Sequence, residues 1–270
     1  MAAGAESFAL AEPAPVDTTF YPVEEKMGEG LLQRKLMELL RPLVESYLKA
    51  RKVYALTGAD QFIYFRQGDI RKRVAPDTYV LPGVDPERII SSWKTWEERI
   101  LPSFAVEVVS GDANKDYIDT PLLYAELGVD ELIVFDPDYK KFKKETDRYR
   151  FQVFRKLEKR GLVRVEVTNE DRVKSKVLGC YLRAVGRGSE LRLRPATGPT
   201  GDTLWPTQGE LERAEKERER AEKEHERAEK ERERAEKERE QAARVSAEAE
   251  LAKLRAELAK LKEASRPKRK

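Results

Sequence analysis

Cysteine and histidine are almost missing from these 270 residues, with one of each, Cys180 and His225. A single cysteine excludes an internal disulfide framework and fits a reducing compartment, so a cytoplasmic location is expected. Cys180 lies in the apolar stretch Val177-Leu178-Gly179-Cys180-Tyr181-Leu182 and reads as a buried small hydrophobe, not a nucleophile. His225 occupies a charged repeat near the C-terminus, which leaves the rest of the chain without a His-based triad or zinc site. No run approaches the ~20 apolar residues of a membrane span. The N-terminus has neither the basic region nor the apolar core of a signal peptide, so no membrane partner is expected.

Excess charge is missing as well. Charged residues make up 38% of the chain and the mean hydropathy is −0.71, but this polarity is localised. Residues 212–240 hold 13 Glu against 11 Lys and Arg, and 241–270 hold 4 against 9, which leaves 33 basic and 33 acidic residues in the first 211. The pI of 8.7 comes from the last thirty residues. A generally basic nucleic-acid-binding body is thereby excluded, and any such contact must come from local clusters.

The pattern along the chain predicts an α+β fold, a mixed sheet core flanked by few helices and followed by one long C-terminal helix. Residues 1–19, rich in Ala, Pro, Glu and Ser, read as a disordered tail. The globular domain is expected over 20–197 and a linker over 198–208. In the domain, Leu32, Leu36, Leu39, Leu40, Leu43 and Tyr47 recur at helical spacing and predict a helix over 30–52, with Pro42 inside it. Short strands follow at 53–56, 62–66 and 78–81, then a loop with a helical turn over 85–102 carrying Trp93 and Trp96, read as packing residues. Phe104–Ser110 is apolar on both faces and reads as a central strand. A helix over 116–127 stopped by Gly128, a second central strand over 131–136, and an antiparallel extension at 149–154, 163–167 and 190–193 complete the domain. The basic run Lys140, Lys141, Lys143, Lys144, Arg148 and Arg150 reads as a solvated hairpin.

From 209 to 264 the composition becomes helical and charged. The unit Glu-Arg-Ala-Glu-Lys-Glu-Arg repeats from Glu212 to Arg239 with one departure, His225. Its only apolar residue is Ala, at 214, 221, 228 and 235, too narrow for a coiled-coil seam. Glu–Lys pairs four residues apart make the helix a self-supporting, solvated spacer. Leu251, Leu254, Leu258 and Leu261 then follow a 3-4-3 rhythm, a short coiled-coil seam through which a homo-oligomer would assemble. A basic tail, 265–270, ends the chain.

Two acidic residues stand out. Asp77 follows Pro76 at a strand entrance, and Glu107 sits inside the apolar strand Phe104-Ala105-Val106-Glu107-Val108-Val109-Ser110. Carboxylates on neighbouring strands are costly unless they meet a cation, and a pair of them is a means of holding a hard divalent metal. The competing reading is structural, with Arg71, Lys72 or Arg73 as salt-bridge partners. Ser110 lacks a base and reads as a strand-end cap.

These residues belong to a set of five ordered segments: Met27-Gly28-Glu29-Gly30; Arg73-Val74-Ala75-Pro76-Asp77; Lys94-Thr95-Trp96-Glu97-Glu98; Val106-Glu107-Val108-Val109-Ser110; and Leu123-Tyr124-Ala125-Glu126-Leu127-Gly128 running on through Asp136-Pro137. In this order they resemble the Uma-type restriction endonucleases, a branch of the PD-(D/E)XK nuclease superfamily, over residues 20–195. The resemblance implies a restriction-endonuclease-like sheet and Mg²⁺- or Mn²⁺-dependent hydrolysis of DNA. It implies Asp77 and Glu107 as metal ligands, the Val108 or Val109 carbonyl as a further ligand, and Glu29 as a third carboxylate. It also implies a lysine, and here the chain departs from the pattern. Val109 stands where the lysine two residues after Glu107 belongs, and Thr120 where relatives carry it in the following helix. Lys115 is the nearest replacement. The expectation is an endonuclease weakened or silenced at this position. The alternative is a catalytically silent module that binds nucleic acid or protein and assembles through its C-terminal helix.

Overall fold

Helix α1 (Leu31–Ala50) opens the ordered core because its apolar residues, Leu36, Leu40, Leu43, Val44 and Tyr47, all fall on one buried side. It runs through Pro42 without interruption. The computed structural model describes residues 19–21, 31–109, 115–140 and 148–264, with Leu31, Lys115, Ala259 and 261–264 described by backbone alone. Residues 1–18 of the tail expected over 1–19, Glu29, Ser110, Lys141, Lys143, Lys144 and the basic tail fall outside these residues. The chain divides into two compact units between Trp205 and Pro206.

In the first unit the strands are β1 (Ala55–Gly58), β2 (Phe62–Tyr64), β3 (Arg73–Val74), β4 (Thr78–Pro82), β5 (Ser92–Lys94) and β6 (Phe104–Val108). A short helix, α2 (Thr95–Glu98), separates β5 from β6. A π-helical turn over Lys115–Asp119 then leads into α3 (Thr120–Leu127), where a single helix from 116 was expected. Gly128 ends α3 with φ of 91°, a left-handed cap that costs glycine little. Strands β7 (Glu131–Phe135), β8 (Phe151–Leu157), β9 (Gly161–Thr168), β10 (Arg172–Ser175), β11 (Cys180–Val185), β12 (Arg192–Thr197) and β13 (Thr203–Leu204) complete the unit.

The main sheet has the order β1-β4-β6-β7-β8-β9, and only its central β6–β7 pair is parallel, joined by the crossover through α3. Alternation along the strands sends Val80, Phe104, Val106, Val108, Ile133 and Phe135 toward α1 and the four-stranded sheet β10–β13. Tyr79, Leu81, Ala105, Val109, Leu132 and Val134 face α3 and a three-stranded sheet, β3-β2-β5. The fold is therefore α+β with mixed sheets, as the pattern predicts. The expected antiparallel extension is split, however. Residues 151–168 extend the main sheet, while Arg192–Thr197 belongs to the separate four-stranded sheet. The loop expected over 85–102 contributes β5, parallel to β2. The stretch read as a linker is structured as far as Trp205: β13 pairs with β12, and the Trp205 indole donates to Ser46 Oγ at 2.9 Å.

The two sheets meet at Glu131, the first residue of β7 and fully buried. Its carboxylate accepts from Arg155 Nε at 2.7 Å, from the Ser175 hydroxyl and from the Lys176 amide at 3.0 Å. A buried carboxylate is tolerated when charge and donors are supplied together, and here they arrive from β8, the end of β10 and the turn after it.

The second unit is α4 (Gln208–Ala264), a helix of 57 residues that is exposed wherever its side chains are described. Its start is fixed by a reciprocal capping box: Thr207 Oγ1 accepts from the Glu210 amide at 3.2 Å, and Glu210 Oε2 accepts from the Thr207 amide at 2.8 Å. The Glu–Lys spacing closes as ion pairs at Glu219–Lys223 and Glu226–Lys230. Among the described residues no helix is long and apolar enough to cross a membrane.

Candidate functional site

Asp77 and Glu107 are brought together by strand register. Strand β4 pairs antiparallel with β6 as Thr78–Val106, Tyr79–Ala105 and Val80–Phe104, so one further step sets Asp77 opposite Glu107. Directly opposed residues point to the same face of a sheet, with Cβ atoms roughly 5 Å apart. That face is the α3 side, because Tyr79, Ala105 and Val109 lie on it. Asp77 is buried, 3% exposed; Glu107 is half-buried.

Each carboxylate is oriented by donors from a different element. Asp77 Oδ1 accepts from Gln33 Nε2 at 3.1 Å, and Asp77 Oδ2 accepts from the Val108 amide at 2.5 Å. Glu107 Oε1 accepts from the Tyr124 hydroxyl at 2.5 Å. Burial, and then the charges of Glu107 and Asp77, push the Tyr124 phenol well above its ordinary pKa. It therefore stays protonated and serves as a fixed donor. Neither Gln33 nor Tyr124 was singled out from sequence. The signal for Tyr124 was present in the spacing, since Thr120, Tyr124 and Leu127 form the buried side of α3.

Thr120, in the place where a lysine is expected, lies one turn before Tyr124 on that same side and is 8% exposed. Lys115 begins the π turn, but its side chain lies outside the described residues, as does the whole of Glu29. The three basic residues considered as salt-bridge partners point elsewhere. Arg71 pairs with Asp69 at 2.9 Å and Lys72 with Glu126 at 2.6 Å. The Arg73 guanidinium stacks over the Phe62 ring at 4.4 Å.

A second buried carboxylate marks the same end of the parallel pair. Asp136, directly after β7, is fully buried. It accepts a bidentate pair from Arg148 at 2.8 and 2.9 Å and a hydrogen bond from the Tyr117 hydroxyl at 2.5 Å. Arg148 is thus not part of a solvated hairpin; its side chain is 7% exposed, and the Asp136 carboxylate raises its pKa further. Arg150 is also engaged, with its guanidinium over the Tyr139 ring at 4.8 Å. Tyr117 belongs to the π turn, so this cluster ties the segment bearing Lys115 to the end of β7. Such turns recur at functional sites.

A cleft of about 560 Å³ opens between α1 and the β1–β2 turn, lined in part by Arg34, Glu38, Arg41, Asp60 and Arg88, of which Arg41 pairs with Glu45 and Arg88 with Glu98. Its wall connects to the site, because the Asp60 amide donates to the Pro76 carbonyl at 2.9 Å. The tryptophans are packing residues, as expected. Trp93 is fully buried with Nε1 donating to the Ile100 carbonyl at 2.9 Å, and Trp96 lies 5.4 Å from the Tyr21 ring. Cys180 is buried, and burial pushes its thiol up to about 12.

The donors facing each other at Asp77 and Glu107 are oxygens, which suits a hard divalent cation. Among the described residues no cluster of three or more Asp, Glu, His or Cys forms a metal cage, so any further ligands come from backbone, water or residues outside that set. In a strand the N–H and C=O of one residue point to the same neighbour. The Val108 amide points to Asp77, which directs the Val108 carbonyl to that side, whereas Val109 N donates to Phe135 O on the opposite side.

A search of curated proteins returned no match. Among solved structures, the chain is similar to a nuclease of the DUF820 group from Anabaena variabilis, described there as putative, with 16% identity and a TM-score of 0.38 over 58% of this chain and 78% of that one. The family model of Uma2, described as putative restriction endonuclease, matches residues 23–183. That match covers the strands and helices that position Asp77, Glu107 and Tyr124, and the chain belongs to the Uma2 family of putative restriction endonucleases.

Proposed function

We propose that this protein hydrolyses phosphodiester bonds in DNA with a bound Mg²⁺ or Mn²⁺, at a site built on Asp77 and Glu107. The observation that carries the reading is the β4–β6 register, which sets the two carboxylates side by side on one face where these interior strands end. Asp77, Glu107 and the Val108 carbonyl would hold the cation, with Glu29 as a third carboxylate. When bound, such a cation polarises the scissile phosphate and lowers the pKa of an attacking water. Gln33 and the Val108 amide fix the Asp77 carboxylate, and Tyr124 fixes one oxygen of Glu107, so both carboxylates are held in set orientations.

Thr120 supplies a hydroxyl where a lysine would stabilise charge building on the phosphate, and Lys115 is the replacement. Loss of one positioned donor of this kind typically costs ~10²–10³ in rate, so the expected nuclease is slow. The buried placement of Thr120 beside Tyr124 also favours a second reading, a silent module that binds nucleic acid or a partner.

Nicking of supercoiled plasmid in Mg²⁺ or Mn²⁺ separates the two. Slow nicking that is abolished by Glu107→Gln and raised ~10²-fold by Thr120→Lys supports the enzyme. Absence of divalent-cation binding in calorimetry would sink it, and DNA retention without cleavage in both proteins would establish the silent module.

A further inference from the structure

The last third of α4 carries a pattern that the rest of the helix does not. Leu251, Leu254 and Leu258 are 52%, 55% and 56% exposed. Placing Leu251 at position a of a heptad puts Leu254 at d and Leu258 at a, and the sequence continues with Leu261 at d. The preceding d position is Ala247. Further upstream the same register puts Arg244 and Lys237 at a, and Glu240 and Glu233 at d. The alanines of the repeat fall at f, on the far side of the helix. A pairing seam therefore begins at Ala247 and does not extend into the repeat.

The flanking charges choose the occupant of that seam. Glu250 and Glu257 take g positions, and Glu248, Arg255 and Lys262 take e positions. In a parallel, in-register pair of chains, g of one heptad faces e of the next on the partner, giving Glu250 opposite Arg255 and Glu257 opposite Lys262. Both pairs are of opposite sign, and each occurs twice by symmetry. An antiparallel pair would set g against g and e against e, bringing glutamates together and Arg255 against its own counterpart, with Glu248–Lys262 as its one contact of opposite sign, so the parallel pair has the better charge match. We infer that the exposed leucine seam of α4 docks on the same segment of a second copy of this chain, as a parallel, in-register two-stranded coiled coil confined to about 247–264. Two heptads make a weak zipper, so the dimer forms with rising concentration. Parallel alignment sends both nuclease-like units from the same end of the seam. The inference is independent of the catalytic reading, because it is measured without substrate.

Sedimentation equilibrium of the full chain across roughly 1 µM to 1 mM covers the range in which a weak dimer titrates. The expected result is a mass rising from 31.1 kDa toward twice that value. Leu254→Glu with Leu258→Glu should hold the protein at the monomer mass throughout, and near-ultraviolet dichroism should show the folded first unit unchanged. Glu250→Lys with Glu257→Lys, and separately Arg255→Glu with Lys262→Glu, should each weaken association at least tenfold, while an equimolar mixture restores it as a heterodimer. Ala247→Cys, at a d position, should give a disulfide-linked dimer under mild oxidation, with Cys180 sequestered in the core. A parent that stays monomeric, a dimer that survives the double leucine substitution, a mixture that fails to recover, or the absence of an Ala247→Cys cross-link would each overturn the inference.

Discussion

Replacing Asp77 by Asn separates a metal ligand from a structural carboxylate, because the two roles predict opposite results. Asn is almost isosteric. Its carbonyl oxygen accepts from the Val108 amide, and a flipped Gln33 amide accepts from its NH₂, so both observed contacts have a neutral counterpart. Exchanging two charge-assisted hydrogen bonds for neutral ones costs about 2 kcal/mol in all. Against this, Asp77 and Glu107 are like charges on opposed residues. At a separation of roughly 5–6 Å and an effective dielectric of about 20, their repulsion is about 3 kcal/mol. The two terms nearly cancel, so without metal the Asn variant should melt within about 2 kcal/mol of the parent. With Mn²⁺ the proteins should part. A ligand at 100 times its Kd stabilises by about 2.7 kcal/mol. For a unit of this size that corresponds to roughly 5–11 °C in Tm. The assay is thermal unfolding followed by circular dichroism with and without Mn²⁺. The parent should gain that shift and Asp77→Asn should lose it. A variant that keeps the full shift, or one that loses more than about 3 kcal/mol before metal is added, would refute the argument.

Two further outcomes follow from the core. Glu131→Ala leaves Arg155 and the Ser175 hydroxyl without their buried acceptor, and denaturant titration should show a loss of about 3–5 kcal/mol. Cys180 has its thiol pKa raised from 9.0 to about 12 by burial, so iodoacetamide at pH 8.5 should leave the folded protein unmodified and alkylate it fully in denaturant. Because the folded pKa is the higher one, this group's contribution to stability is fully present below pH 9 and is lost as pH rises toward 12.

The readable part of the candidate site lay in local pattern. Pro76 before Asp77 marks a strand entrance, and the apolar neighbours of Glu107 mark a buried strand, so both carboxylates stand out with no knowledge of what they touch. Tyr124 was within reach of the same reasoning, through its spacing from Thr120 and Leu127, but nothing local says that its hydroxyl meets Glu107. Gln33, on the largely apolar helix α1, gave no sign of its contact 44 residues away. The basic run near 148 misled because charge density reads as solvation, whereas Arg148 is drawn into the core by Asp136. Glu131 was passed over for the converse reason. A charged first residue looks like a strand boundary until Arg155 and the turn after β10 close over it.

By itself the sequence determined the α+β class, the long charged helix and the two acidic candidates. Each of these is carried by residues within a few positions of one another, where helical and strand periodicities act directly. Only the tertiary structure decided which carboxylates meet, how the strands divide among three sheets, and which basic residues are buried. Those outcomes depend on pairing between segments tens of residues apart, and a one-residue slip in β4 against β6 would have turned Asp77 and Glu107 to opposite faces.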